Sequence, residues 1–131
     1  MEITQEIRAE IDKFKAKGNP VFSLKHAGAD YIYIGLLRED LTAIRDSALA
    51  ESRKLVDSLT EDEKKSPEKQ QEVVSKIDEM EESFILSYAI LYPKFTHAEI
   101  AKLPVGSGKK LRDEIFKASG EFEEPSEPVK L

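Results

Sequence analysis

A mainly helical α+β fold in a single domain is the class this sequence predicts, and three observations lead there. Apolar residues recur at three- and four-residue intervals through most of the chain, the period of one helix face. One short region, 21–35, instead carries β-branched and aromatic residues on both sides of Gly28, the pattern of a hairpin. The length, 131 residues, is ordinary for one domain and allows a core without staples. The expected architecture is four or five helices packed around a single β-hairpin. The domain is expected to span 1–122, with an acidic, disordered tail over 123–131.

Ile3, Ile7, Ile11 and Phe14 form the apolar face of a first helix over Ile3–Lys17. Gly18-Asn19-Pro20 ends it, because glycine suits a left-handed cap and proline cannot continue a helix. Val21-Phe22-Ser23-Leu24 and Tyr31-Ile32-Tyr33-Ile34 follow as two strands. A lone hairpin is marginal in water, so it must pack on helices or pair with another chain, and an open edge is a docking strip. A helix from about Arg38 to Ser58 carries the stripe Leu37, Leu41, Ile44, Ala48, Leu55 and Leu59. The polar run Thr60–Lys65 reads as a solvated connection or one helical turn. Ser66-Pro67 restarts a helix: serine caps, and proline is tolerated at the first helical position. The longest helix is expected over Pro67–Leu91, with Val73, Val74, Ile77, Met80, Phe84, Ile85, Tyr88 and Leu91 at helical spacing. Its end, Phe84–Tyr92, is apolar nearly all round and so buried on more than one face, and Pro93 stops it. Thr96-His97-Ala98-Glu99 is a capping box opening a short helix to Leu103. Pro104–Gly108 reads as a turn, and a last helix with Leu111, Ile115 and Phe116 ends at Ser119-Gly120. The remainder is acidic and proline-containing, hence the expected disorder.

Charge narrows the partners. The formal net charge is −6 with a sequence pI of about 5.1, so phosphate backbones and anionic lipid are repelled. Nucleic acid and membrane are therefore not expected partners. There are no cysteines, which excludes disulfides and thiolate metal sites and fits a reducing compartment. The acidic, amphipathic N-terminus lacks the features of a secretory signal. The longest apolar stretch, Phe84–Tyr92, is too short to span a bilayer. These features together suggest a cytosolic protein.

No motif points to catalysis or a cofactor. Gly106-Ser107-Gly108-Lys109-Lys110 resembles a phosphate loop only in part: Leu103 stands where the first glycine is required, Lys110 where serine or threonine is required, and no strand precedes it. His26 and His97 lack converging ligands and read as surface or capping residues. The carboxylate runs Glu61–Glu63 and Asp78–Glu82 fall on polar faces beside lysines, not in a pocket that would separate two pKa values. The serines lack nucleophile-elbow glycines. A non-enzymatic binding module is what remains.

Three stretches, in this order, resemble the tail assembly chaperones of tailed bacteriophages. The first runs from Val21-Phe22-Ser23-Leu24 through Tyr31-Ile32-Tyr33-Ile34-Gly35-Leu36-Leu37-Arg38-Glu39-Asp40-Leu41, a hairpin leading into a helix start. The second, Ala89-Ile90-Leu91-Tyr92-Pro93, is similar to the family's "valine–leucine–tyrosine–proline" helix end. The third comprises Ala101-Lys102-Leu103-Pro104-Val105-Gly106, then Leu111, Ile115 and Ala118-Ser119-Gly120-Glu121-Phe122. Gly35 stands where many members have arginine, Lys102 replaces a glycine, and Glu121 intervenes before Phe122. The resemblance covers roughly 21–122. It implies a non-enzymatic helper, made in the host bacterial cytoplasm, that binds the tape-measure protein, keeps its helices soluble and recruits tail-tube subunits. Tyr31, Tyr33, Leu36 and Leu37 near the hairpin and Phe84, Tyr88 and Tyr92 at the apolar helix end are the expected contact residues. A structural virion protein of the tail or baseplate, or a small regulatory binding module, are the competing expectations. Self-association through Pro67–Leu91 also stays open.

Overall fold

A computed structural model describes residues 3–120 and 128–131. Helix α1 spans Gln5–Lys17; strands β1 (Val21–His26) and β2 (Ala29–Ile34) form the hairpin; α2 is Arg38–Asp57, α3 Glu61–Lys65 and α4 Pro67–Ala89. Then come β3 (Ile90–Tyr92), α5 (His97–Ala101), α6 (Val105–Ala118) and β4 (Val129–Lys130). The fold is α+β and mainly α, as expected.

Local chemistry explains most boundaries. The Thr4 side chain accepts from the Ile7 N–H to open α1, and Gly18, at φ 102°, closes it in the left-handed conformation that glycine adopts freely. Thr60 with Glu63, and Thr96 with Glu99, form reciprocal capping boxes at the starts of α3 and α5. The Ser66 side chain accepts from the Lys69 N–H, with Pro67 at the first position of α4. The hairpin turn is tighter than the expected loop: only Ala27 (φ 51°) and Gly28 (φ 79°) lie between the strands, both left-handed as a two-residue hairpin turn of the primed type requires.

The sheet holds more than the hairpin. Its order is β3-β2-β1-β4, with every neighbouring pair antiparallel. Helix α4 ends two residues before the expected Leu91. Ile90 already has extended backbone, at φ −87° and ψ 113°, and Ile90 and Tyr92 pair with Tyr33 and Ile32 across a bulge. Two causes act together: the residue before Pro93 is biased away from helix, and an edge of β2 is available for pairing. At the opposite edge, Lys130 and Val129 pair with Phe22 and Ser23, and the Leu131 N–H donates to the Val21 carbonyl at 2.7 Å. The expected disorder of 123–131 therefore does not hold for 128–131. After the prolines, Val129 finds an open strand edge and the apolar Leu131 a core to rest on. Residues 123–127 lie outside the described residues.

Tyr31, Ile32, Tyr33 and Ile34 are all buried, so β2 is covered on both faces, in contrast to a half-solvated hairpin. The helices touching the sheet are α1, α4 and α6. Gly35 makes the packing of α6 possible. A Cβ at this position would lie 2.2 Å from the Ala118 carbonyl oxygen and 2.7 Å from Pro20 Cγ. No side chain larger than glycine's hydrogen has room here without a shift of α6.

Candidate functional site

The sequence places its expected contact residues in two groups, and the structure treats them differently. Tyr31, Tyr33 and Leu36 belong to the core. Tyr33 is 0% exposed, its ring stacks on Phe22 at 5.9 Å, and burial together with the nearby Glu114 charge pushes its phenol pKa up. Tyr31 packs beside Phe95 at 6.3 Å. Side chains held this way are part of the packed interior. Leu37 is half-buried at the cap of α2, and Tyr92 is half-buried in β3. The hairpin face is therefore not the open surface that the sequence suggests. Its β-branched and aromatic run carries the burial signal on both faces, not on one.

Tyr88 enters a charge cluster that sequence reasoning missed. Asp40, 1% exposed, accepts from Lys17 Nζ at 2.6 Å, Tyr88 Oη at 2.5 Å, Asn19 Nδ2 at 2.7 Å and the Leu37 N–H at 2.9 Å. Burial opposes ionisation of this carboxyl, but the four donors outweigh it and hold the pKa at about 2. Lys17 is raised in return, chiefly by its bond to Asp40, while burial and the same carboxylate raise Tyr88. Asn19 also donates to the Gly35 carbonyl at 2.8 Å. The cluster joins α1, the turn after it, the start of α2 and α4. Every carboxylate lone pair direction is occupied by the protein itself, so the cluster is a clasp and not a reaction centre. The legible trace in sequence was Asp40 three residues after Leu37, where an N3 acid returns to the cap N–H.

Phe84 lies elsewhere, in a groove between α4, α5 and α6. After β3 the chain turns back, and α5 settles on α4. The His97 ring meets Phe84 edge-on at 4.7 Å, and Ser83 and His97 are hydrogen-bonded. Helix α6 begins at Val105, and its Gly108 allows close approach: a Cβ there would come within 3.1 Å of a Glu82 oxygen. The space between encloses about 950 Å³. Met80, Phe84, Ile100, Leu103 and Val105 line it, and the fully buried Leu86 closes the floor. Val105 is 90% exposed, the most open large apolar residue described. Charged side chains stand at the rim, among them Glu79, Glu82, Lys109 and Arg112. Phe84 and Tyr88 also line a smaller hollow of about 300 Å³ against Ile44 of α2.

The sequence reading did not single out the groove residues Ile100, Leu103 and Val105 because each falls in a short helix or a supposed turn. Their signal was an apolar residue at each of three closely spaced positions around Pro104 with no stripe to join. The turn expected over Pro104–Gly108 is instead the start of α6, which begins at Val105: the Ser107 and Gly108 N–H groups both donate to the Pro104 carbonyl. His26 Nε2 lies 3.2 Å from Ser107 Oγ. Among the described residues no group of three or more histidines and carboxylates is placed to hold a metal ion, and no helix is long and apolar enough to cross a membrane. No family model, no curated protein and no solved structure matches this chain.

Proposed function

We propose that this chain is a non-enzymatic assembly chaperone of a tailed bacteriophage, acting in the host bacterial cytoplasm on the tape-measure protein. The observation that carries this reading is the apolar groove between α4, α5 and α6. It is open, wide and walled by Met80, Phe84, Ile100, Leu103 and Val105, with charged residues at its rim. An apolar floor with a polar rim is the chemistry by which a groove accepts the apolar face of another helix. A tape-measure protein is long and helical, and its apolar stripes need cover until a tail tube forms around it. In this reading the groove supplies that cover, and release follows when tube subunits compete for the same stripe.

The order of hairpin, tyrosine–proline helix end and leucine–proline-led last helix agrees with the same reading. The first two of these segments build the sheet, and the third builds a wall of the groove. Co-expression with the tape-measure and tail-tube proteins encoded near it, followed by pull-down, tests the proposal. Capture of the tape measure in soluble form is the expected result. Presence of the chain in purified particles without such capture would favour a structural tail or baseplate component. Absence from both would end the phage reading.

A further inference from the structure

The groove is not evenly charged, and this bears on what it accepts. On the α4 side stand Glu79 and Glu82, with Glu51 of α2, already paired with Lys54 at 3.2 Å, beside them; on the α6 side stand Lys109 and Arg112. The lysine on the α4 side, Lys76, is already tied to Glu72 at 3.3 Å. Among the described residues Glu79, Glu82 and Lys109 take part in no ion pair, and Arg112 has only a loose one, 3.9 Å to the adjacent Asp113. Elsewhere on α4 and α6 several charges are paired, as Lys69 with Glu63 and Glu72 and Glu114 with Lys110 and Lys117. The apolar floor is thus bordered by an acidic bank in which Glu79 and Glu82 are uncommitted and a basic bank in which Lys109 is uncommitted and Arg112 only loosely paired.

We infer that the groove takes an amphipathic helix of a partner protein carrying basic residues along one flank of its apolar stripe and acidic residues along the other, and that this charge pattern sets the direction in which the helix lies. The inference rests on the docking reading above and adds the partner's chemistry. Opposite-sign flanks meet both banks in only one of the two directions, since reversing the helix exchanges its flanks. A helix with two acidic flanks meets the α4 bank with like charge, and one with two basic flanks meets the α6 bank with like charge.

Three synthetic helices of about 20 residues, long enough for several turns, serve as probes. They share one leucine–alanine stripe and differ in flanks: one of each sign, both acidic, or both basic. Fluorescence anisotropy at low salt is expected to give roughly fivefold tighter binding for the mixed probe, the size of a few exposed ion pairs. The preference should fade at high salt. Glu79→Lys should shift preference toward the doubly acidic probe and Lys109→Glu toward the doubly basic one, each with an unchanged melting temperature because both residues are exposed. Equal binding of all three probes, or an order unmoved by either substitution, would overturn the inference while leaving the docking groove in place. No binding of any probe would overturn both the inference and the use of this groove for helices, whereas tape-measure capture tests the phage reading separately.

Discussion

At Asp40, side chains rather than secondary structure hold the fold together. A carboxylate this buried is stable only because Lys17, Asn19, Tyr88 and the Leu37 N–H converge on it. Its folded pKa, about 2, lies below the usual carboxylate value, so the ionised form contributes stability above about pH 4 and loses it as pH falls toward 2. The contribution is about 2 kcal/mol near neutrality. Asp40→Asn should therefore lower the unfolding free energy by about 2–3 kcal/mol at pH 7, through both the lost charge and strained donors. Urea titrations at a series of pH values should show the gap between the two proteins narrowing below pH 4. A gap independent of pH would mean that Asp40 is not ionised in the folded state. Gly35 makes a second residue-level claim. Gly35→Ala would drive a methyl group into the Ala118 carbonyl, and it should cost about 1–3 kcal/mol as α6 is pushed outward. An unchanged melting temperature would show that α6 does not pack as described.

Among the elements, the two outer strands separate what the sequence reveals from what it hides. Helices α1, α2, α4 and α6 follow directly from apolar spacing and caps, because a stripe at period 3.6 and a Ser-Pro or Gly stop are local signals. The hairpin is legible for the same reason. Strand β3 is not: Ile90-Leu91-Tyr92 continues the helical apolar pattern, and only pairing with β2, distant in sequence, selects the extended form. Strand β4 is two residues long, within a segment whose composition is that of a disordered tail. The groove was half legible. Phe84 was singled out at the apolar helix end, but Ile100, Leu103 and Val105 become its neighbours only when α5 and α6 pack near α4, and Tyr31 and Tyr33 lie in the core. Strand β4 carries a prediction of its own. Removing Val129–Leu131 uncovers the β1 edge and deletes the bond from Leu131 to Val21. Unfolding should stay cooperative, with a loss of about 1–3 kcal/mol from a few net hydrogen bonds and Leu131 packing. A melting temperature equal to that of the full chain would mean that the tail's end does not join the sheet.

For the whole molecule, the division of labour is between a closed half and an open half. The sheet, α1 and the Asp40 clasp are inward-facing and internally satisfied, apart from a few polar atoms such as the Tyr33 hydroxyl. The α4–α5–α6 end leaves apolar surface uncovered around Val105. A chaperone in the proposed sense needs this contrast: a scaffold stable without its client and a surface that remains unsatisfied until the client arrives. The direct test is capture of the co-expressed tape-measure protein by the unaltered chain and by Val105→Asp combined with Ala101→Arg. Both positions are exposed, both line the groove, and an aspartate at the start of α6 suits the helix dipole, so the melting temperature should be unchanged. Val74→Asp, on an exposed position away from the groove, is the control. The account predicts capture by the unaltered chain and the control, and loss of at least tenfold in the groove variant; equal capture by all three would contradict it.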